Sequence, residues 1–466
     1  MSFTRRTFLI GAGSGISVLV LTACVSEPQP RPTPTPTRSP TGIVPAPRTF
    51  ARSSWGTDSF ARGSMSYMAV GSTLEHREAL GVSIADRVFF AGEATSVDNP
   101  GTVYGAQRSG SRAAGQVADV GESTDKVAVI GAGAAGAEAA RVLALRGYEV
   151  VVIEARKRVG GRIQSVTDTD WPFPVELGAW RLSPVDDLDL LANLARLGVS
   201  SVALGDAADP SVYRSAVGET ATDPVGPAAV DTALAWATEQ PRDQSLESAL
   251  EGSGAASAAA DAASGEVPGS ELLAQYLATL ATVYGADASD LSGWFTVADT
   301  GAPTLVTGGL STAVSDSLKG VETFLSTAVV GVAYNENRVS LRLGTGESLT
   351  VDRVIVTVPL GVLQDDSIDF DPLLPFSHRT AIASLGMGTV DTVWLRFDEP
   401  FWTTDAAVWN LVGTDDDITT WINLEPLTGE AILVGIVGGS AAERMELLDD
   451  DELTAVVLTT LAPFAG

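Results

Sequence analysis

The sequence predicts an α/β fold, on three observations. The chain of 466 residues is 45% hydrophobic and 19% charged, which is typical of a globular protein with a large buried core and room for two or three domains. A short apolar run at residues 126–130 leads into a glycine-rich turn and a helical pattern. Alternating apolar residues at 338–343 and 351–358 predict strands, which we expect to form antiparallel ribbons.

The N-terminal segment is predicted to direct export rather than to join the fold. Within residues 1–23, Arg5 and Arg6 precede an uncharged run that is short for a membrane span. "TRRTFL" resembles a twin-arginine signal, and "LTAC" resembles a lipobox, in which cleavage leaves Cys24 as a lipid-modified N-terminus on the extracytoplasmic face of the membrane. An ordinary signal anchor is the alternative. The proline-rich residues 24–47 predict an extended tether.

Charge and rare residues narrow the function classes. The formal net charge of −29 repels phosphate backbones, so we expect no nucleic-acid partner. The same acidity favours a cationic substrate, or serves solubility alone. One cysteine and two histidines, His76 and His378, exclude an intrachain disulfide and a Cys/His metal cluster, and we expect no metal. A redox enzyme with this composition needs an organic cofactor.

The stretch "VAVIGAGAAG" predicts a dinucleotide-binding turn of the Rossmann type. Gly131 permits the tight turn, Gly133 lets a pyrophosphate approach the backbone, and Gly136 lets helix and strand pack closely. The helix predicted over 134–146 presents free N–H groups to the phosphates. Glu154 ends the next strand, where an acid accepts hydrogen bonds from ribose hydroxyls.

The segments that follow resemble the FAD-dependent amine oxidases. "EARKRVGGRIQS" at 154–165 is similar to their "EAxxRxGGR" extension, "VELGAWRLSP" at 175–184 to their segment beside the flavin, and 304–359 and 385–402 to later segments. The resemblance implies FAD as cofactor, with Arg156 and Arg162 as contacts. It implies a set of cofactor-binding residues in this half of the chain: Gly131, Gly133, Ala135, Gly136, Glu154, Ala155, Arg156, Gly161, Arg162, Gly178, Ala179, Trp180 and Val329.

The order of these segments is unusual. "SSWGTDSFARGSMSY" and "RVFFAGEATSVDNPGTVYGAQRSG" resemble the substrate-cavity and closing segments, which in the family follow the equivalent of residue 466. By this resemblance Gly92 and Glu93 meet the ribityl and pyrophosphate region, and the backbone of Thr102 and Val103 lies near the flavin pyrimidine. We therefore expect a single, complete and circularly permuted domain, with chain ends that lie close together. A truncated tandem array or an assembly artefact is the alternative.

The predicted fold is thus a glutathione-reductase-type, Rossmann-like FAD domain with an α+β substrate domain, in permuted order. The expected divisions after the tether are the C-terminal part of the fold at 48–120, the FAD-binding unit at 121–184, a helical substrate domain at 185–300, and the remaining strands at 301–466. Within the helical part, the low-complexity residues 252–265 are either a surface loop or a loose helix.

The resemblance also implies the chemistry. An amine binds in front of the flavin ring, and hydride passes from the α-carbon of the amine to flavin N5. The resulting imine hydrolyses to an aldehyde or ketone. O₂ or another acceptor then reoxidises the flavin, and O₂ is reduced to H₂O₂ in that step. Thr392 stands where many relatives have a lysine that holds a water, and Met65 replaces an aromatic cage residue while Tyr67 keeps the second. Trp55 is a further cavity candidate. Ser64 replaces the cysteine that attaches FAD in certain relatives, so FAD is expected to be non-covalent.

Two other functions stay open at this stage. Arg181, in "ELGAWRL", stands where L-amino-acid oxidases carry an arginine that binds the substrate carboxylate, which favours an amino acid as substrate. A surface arginine, or one that pairs with the flavin phosphates, is the alternative. The changes at Thr392 and Met65 instead favour a flavin-binding lipoprotein that has lost amine oxidation.

Overall fold

The structure, a computed structural model, describes residues 43–465 except 207–210, 216–217, 221–223, 265–266 and 298–301. The predicted signal, Cys24, most of the tether and Gly466 lie outside the described residues. Within the described ranges, no helix is both long enough and apolar enough to cross a membrane.

Short strands occur along the whole described chain. They are β1 (Thr49–Arg52), β2 (Met65–Tyr67), β3 (Val88–Phe90), β4 (Lys126–Ile130), β5 (Glu149–Ile153), β6 (Ser165–Val166), β7 (Val175–Glu176), β8 (Arg181–Leu182), β9 (Ser201–Ala203), β10 (Ser211–Ser215), β11 (Gly218–Thr220), β12 (Ala263–Ser264), β13 (Val267–Pro268), β14 (Thr304–Val306), β15 (Glu322–Phe324), β16 (Val329–Tyr334), β17 (Val339–Leu343), β18 (Ser348–Val351), β19 (Arg353–Val356), β20 (Asp369–Asp371), β21 (Gly386–Gly388), β22 (Val390–Arg396), β23 (Val408–Leu411), β24 (Thr420–Asn423) and β25 (Ile432–Gly438).

The helices lie between these strands. They are α1 (Leu74–Leu80), α2 (Val103–Val120), α3 (Ala134–Leu145), α4 (Leu188–Arg196), α5 (Val225–Thr238), α6 (Leu246–Gly252), α7 (Ala255–Asp261), α8 (Gly269–Tyr284), α9 (Ser311–Ser317), α10 (Leu360–Gln364), α11 (Phe376–Ser384), α12 (Glu425–Thr428), α13 (Ser440–Glu446) and α14 (Asp450–Leu461). Short 3₁₀ turns occur at Glu93–Thr95, Leu204–Asp206 and Ala462–Phe464.

A parallel sheet in the order β15-β5-β4-β19-β3 forms the nucleotide-binding half of the fold. Along β4, Val127 and Val129 join one core cluster, whereas Ala128 and Ile130 join a second. Because both faces are buried, the strand is apolar throughout rather than alternating, as in other covered parallel sheets. The unit β4–α3–β5 confirms the predicted strand, helix and strand, and Gly147 follows the helix with a positive φ of 88°.

The prediction of antiparallel ribbons is half right. β17 pairs antiparallel with both β16 and β18, as expected from its alternation. For residues 353–356 the prediction is wrong, because β19 is a fully buried strand that pairs parallel with β4 and β3. Its run of apolar residues marks a strand covered on both faces, so alternation is the wrong guide there.

Residues 88–120 are built into this same sheet. β3 forms its edge beside β19, and α2 packs against α3 on one face. Residues 121–125 then lead directly into β4, as predicted, and the buried Arg353 Nε lies 2.9 Å from Asp125 Oδ2 beside this connection. Residues 88–120, which precede this connection, and the glycine-rich turn, which follows β4, therefore meet at one cavity.

The second large sheet has the order β1-β22-β25-β24-β23-β10-β11. β1 begins the described chain and pairs antiparallel with β22, with Thr49 opposite Arg396. Val44 packs against the same core cluster that contains Phe464, so the two ends of the described chain meet on one side of this sheet. The predicted proximity of Ile43 to Gly466 itself lies outside the described residues.

Helices α5 to α8 form the helical part predicted for 185–300, but β10 and β11 in this region join the second sheet. The low-complexity stretch contains α7, with Ala255 and Ala259 buried against the neighbouring helices. Small residues let this helix pack closely, so the helical alternative is the correct one for that segment.

Candidate cofactor and active site

An elongated cavity of about 310 Å³ opens at the C-terminal ends of β3, β4, β5 and β19. Ligands of parallel α/β sheets bind at this edge. Of the predicted cofactor residues, most lie on its wall: Gly92, Glu93, Thr102, Val103, Gly131, Gly133, Ala135, Glu154, Ala155, Arg156, Gly161, Arg162, Ala179 and Val329. The residues that the resemblance grouped by sequence are therefore brought together in space.

The glycine-rich turn leaves room for a phosphate group. Gly131 has a φ of +104°, which favours glycine, and a Cβ on Gly136 would collide with the Gly131 carbonyl oxygen. At Gly133, by contrast, the nearest atom to an added Cβ is the Gly160 oxygen at 3.8 Å. Gly136 thus permits the close helix–strand packing, while Gly133 keeps the cavity side open at the N-terminus of α3. This arrangement fits the pyrophosphate of a dinucleotide.

Glu154 is held at the cavity by two backbone amides. Its Oε2 accepts a hydrogen bond from Ala132 N at 2.7 Å, and its Oε1 accepts one from Arg156 N at 2.8 Å. Each carboxylate oxygen keeps a further lone pair, so the side chain can also accept ribose hydroxyls as predicted. Only 5% of the residue is exposed.

Arg156 lines the cavity and forms a bidentate pair with Asp58. Its two terminal nitrogens each lie 2.7 Å from a carboxylate oxygen of Asp58. The guanidinium also lies over two rings, 5.9 Å from the centre of Trp55 and 5.6 Å from that of Phe60. This cluster joins residues 55–60 to the nucleotide-binding half, and Trp55 supports the arginine instead of lining the cavity.

Glu93 forms the other polar centre of the wall. Its carboxylate accepts hydrogen bonds from Ser66 Oγ at 2.6 Å, Gly101 N at 2.8 Å and Arg162 Nη1 at 2.8 Å. Burial opposes ionisation, but the Arg162 charge and the Ser66 hydroxyl hold the pKa of Glu93 below its usual value. Because its oxygens are occupied in this way, Glu93 orients Arg162 and the 101–102 turn. Its predicted place beside the ribityl and pyrophosphate region stays a prediction.

The turn after Glu93 ends in the N-terminus of α2. Thr102 is the N-cap residue, and its Oγ1 accepts a hydrogen bond from Gly105 N at 2.9 Å. The amides of the first turn have no partner within the helix and, at Thr102 and Val103, lie on the cavity wall. They are therefore placed to donate to a ligand, and their contact with the pyrimidine end of a flavin stays a prediction.

Three predicted cofactor residues pack behind the wall. Besides Gly136, these are Gly178, where a Cβ would collide with the Arg162 carbonyl oxygen, and Trp180, which is 2% exposed. The Trp180 ring lies 5.0 Å from that of Trp394, between the nucleotide-binding half and the second sheet. Trp394 lies two residues from Thr392 on the same face of β22, and no sequence motif marks it.

None of the predicted substrate residues, all of which lie in the described part of the chain, lines this cavity. Met65 and Tyr67 are on β2, and Met65 packs into the core cluster that contains Trp180 and Trp394. Thr392 is 5% exposed, and its Oγ1 accepts a hydrogen bond from Trp394 Nε1 at 3.3 Å. Thr392 therefore lies on the second sheet, and Met65 and Tyr67 lie on the two-stranded sheet of β2 and β21.

Tyr67 lies against the helical part, beside three acidic residues. Burial and then the nearby charges of Asp290, Glu443 and Asp287 raise the pKa of Tyr67 to about 12. Its ring covers Gly386, where a Cβ would collide with it. The negative charge around Tyr67 would attract an ammonium group.

Arg181 is a half-buried charged side chain whose described hydrogen bond goes to a neutral acceptor. Its Nη2 donates to the Thr282 carbonyl oxygen at 2.7 Å. Among the residues that the structure describes, no carboxylate pairs with it, and burial lowers the pKa of its guanidinium to about 10. A guanidinium that is partly removed from water without an anion beside it is costly, so this side chain is suited to an anionic partner.

Comparison with known proteins relates this site to one family. The sequence profile of the flavin-containing amine oxidoreductases matches residues 39–118 and 134–466. Polyamine oxidase 3 of Oryza sativa subsp. japonica is 29% identical over 351 residues, which is 70% of this chain and 71% of the relative. Lysine-specific histone demethylase 2 of Homo sapiens is 26% identical over 362 residues, 72% of this chain but 43% of the relative.

Solved structures show the same fold. A wild-type putrescine oxidase bound to putrescine has a TM-score of 0.54 and 23% sequence identity, covering 74% of this chain and 82% of that chain. Cyclohexylamine oxidase from Brevibacterium oxydans IH-35A has a TM-score of 0.56 and 20% identity, with the same two coverages.

Proposed function

The chain belongs to the flavin-containing amine oxidoreductase family, and we propose that it oxidises a small diamine or polyamine with release of H₂O₂. Its cofactor is FAD, held non-covalently. When bound, FAD takes two electrons from the C–N unit of the amine. The observation that carries the proposal is the single cavity that residues 59–106 and residues 130–163 line together.

The protein residues bind and orient in this proposal. The Gly133 turn and the α3 N-terminus receive the pyrophosphate, and Glu154 receives the ribose of the nucleotide end. The amides at Thr102 and Val103 bind the flavin pyrimidine, which leaves the amine on the side of the second sheet. The carboxylates around Tyr67 favour a substrate with more than one ammonium group.

A coupled peroxidase assay with a panel of amines tests this proposal. We expect H₂O₂ to appear in a one-to-one ratio with consumed amine for a diamine or polyamine. Reduction of the flavin by these amines without H₂O₂ would assign another electron acceptor. No reduction by any amine would favour the third function, a flavin-binding lipoprotein without oxidase activity.

A second candidate function, oxidation of an L-amino acid, is favoured by Arg181. Its guanidinium has one described hydrogen bond, to a carbonyl oxygen, and a substrate carboxylate would supply the missing anion. If this function is correct, Arg181→Gln lowers kcat/KM for amino acids by at least a hundredfold and leaves simple amines within threefold. Arg181→Lys, which keeps the charge but not the bidentate geometry, is the matched control and recovers part of the loss. Equal effects on both substrate classes would contradict it.

We also propose export and lipid anchoring, on the "TRRTFL" and "LTAC" motifs. Expression of the whole chain in a bacterium with a twin-arginine pathway should give a membrane-bound protein on the outer face. Cys24→Ala should release it into the soluble exported fraction. Retention of that variant in the membrane would instead favour a signal anchor.

We propose that the chain order is circularly permuted. The contact of Val44 with the Phe464 cluster supports this, as does the direct path from α2 to β4. A chain that begins at Asp125 and joins Gly466 to Ile43 through a short linker should fold and bind FAD. Failure of that rejoined chain to bind FAD, beside a wild type that does, would refute the permutation.

A further inference from the structure

Arg77 on α1 is a fully buried arginine that the oxidation chemistry does not explain. Its Nη1 donates to Ser66 Oγ at 2.8 Å and to the Ala94 carbonyl oxygen at 3.1 Å, and its Nε lies 3.2 Å from Met68 Sδ. Its Nη2 has no hydrogen-bond partner among the described residues, and its exposure is 0%. Neutral acceptors alone do not compensate a buried guanidinium, so an anion must lie close by.

That anion is Glu93, one hydroxyl group away. Ser66 Oγ, which accepts from Arg77, donates in turn to Glu93 Oε2 at 2.6 Å. The same carboxylate pairs with Arg162 through its other oxygen at 2.8 Å. In the described part of the chain, no second carboxylate pairs with either arginine. Two guanidiniums therefore share one carboxylate, and the cluster carries a net charge of one positive unit.

This net charge lies beside the 101–102 turn, at the part of the cavity where the flavin pyrimidine is predicted to bind. Glu93 and Arg162 are on the wall, and Glu93 also accepts from Gly101 N at 2.8 Å, immediately before Thr102. Two-electron reduction adds negative charge to a flavin. Fixed positive charge in a site of low dielectric constant stabilises that added charge more than it stabilises the neutral oxidised ring.

We propose that Arg77 is a positioning residue of the cofactor site: it fixes the Ser66 hydroxyl and offsets the charge of Glu93, so that the cluster favours reduced over oxidised FAD. Without Arg77 the cluster is neutral, and the negative charge of Glu93 offsets that of Arg162. The inference rests on the proposed function only in requiring FAD in this cavity; it does not depend on which substrate is oxidised.

A redox titration of the FAD-loaded protein with dithionite and indicator dyes tests it without any amine. Arg77→Gln should lower the midpoint potential, with at least a tenfold loss in the preference for reduced FAD, which corresponds to about 30 mV for a two-electron couple. Arg77→Lys keeps the charge and should restore the wild-type potential. Arg112→Gln is the matched control, because this half-buried arginine donates to the carbonyl oxygens of Gly81 and Phe90 instead of compensating Glu93.

Two more variants keep the test decisive if Arg77→Gln folds poorly. Glu93→Gln raises the net charge of the cluster and should raise the potential, and the double variant with Arg77→Gln should return it to the wild-type value. A wild-type potential in Arg77→Gln, an equal shift in Arg112→Gln, or shifts of the same sign in the two single variants would overturn the inference. A protein that shows the expected shifts but oxidises no amine refutes the proposed function and supports this inference.

Discussion

Replacing Asp391 by asparagine should make the protein more stable, relative to the wild type, as the pH rises from 5 to 8. Asp391 is 3% exposed, and its Oδ1 accepts hydrogen bonds from Ser53 Oγ at 2.7 Å and Trp55 N at 3.1 Å. Burial, together with the facing carboxyl group of Glu446, raises the pKa of Asp391 to about 7. The folded protein therefore holds a proton at Asp391 that the unfolded chain releases near pH 4.

The sign and size of the effect follow from this difference. Because the folded pKa is above the unfolded one, the stabilisation is complete below about pH 4 and disappears as the pH rises through about 7. With an unfolded pKa of about 3.9, the loss between pH 5 and pH 8 is on the order of 3 kcal/mol. Asparagine does not titrate, and its amide can donate to Glu446, so the variant lacks this loss.

Urea unfolding at several pH values, followed by tryptophan fluorescence with FAD in saturating excess, measures the effect. The difference in unfolding free energy should change by an amount on the order of 3 kcal/mol in favour of Asp391→Asn between pH 5 and pH 8. The control is Asp119→Asn on the exposed side of α2, whose profile should run parallel to that of the wild type. A constant difference between Asp391→Asn and the wild type across this range would refute the reasoning.

Two further predictions concern the cofactor site. In Gly133→Val the new side chain fills the open side of the turn, so FAD affinity should fall at least tenfold. The protein should still fold normally, since the nearest atom to the new Cβ is 3.8 Å away. Flavin absorbance measures the loss of FAD binding, and circular dichroism checks the fold. Asp58→Asn breaks the bidentate pair with Arg156, so the variant should lose about 1 kcal/mol of unfolding free energy and release FAD faster on dialysis. The control is Asp398→Asn, in an exposed ion pair, which should change neither the unfolding free energy nor the rate of FAD loss.

The nucleotide-binding turn was predictable because each step has a local cause. Gly131 and Gly136 are required by backbone geometry within a few residues, and the apolar run before them marks a buried strand. The local sequence did not predict the pairing of β19, because the apolar run of a strand buried on both faces does not show which neighbours it pairs with. Pairing with β4 and β3 is set by contacts distant in sequence.

The polar networks around the cavity were not predictable for the same reason. Arg77 lies outside every motif, and the segment "SSWGTDSFARGSMSY" contains Asp58 without showing what it pairs with. Their partners Glu93 and Arg156 lie 16 and 98 residues away along the chain. The Asp391–Glu446 pair likewise joins β22 to α13, and sequence alternation places Asp391 on a strand face without identifying what covers it. Only the folded chain shows that these charges are buried and paired.

Anaerobic mixing of the FAD-loaded protein with a diamine or polyamine is the most direct test of amine oxidation at this site. We expect the visible absorbance of the flavin to bleach in a substrate-dependent first-order step and to return when air is admitted. Persistent oxidised flavin with every amine and amino acid, in a protein that still binds FAD and accepts electrons from dithionite, would contradict it.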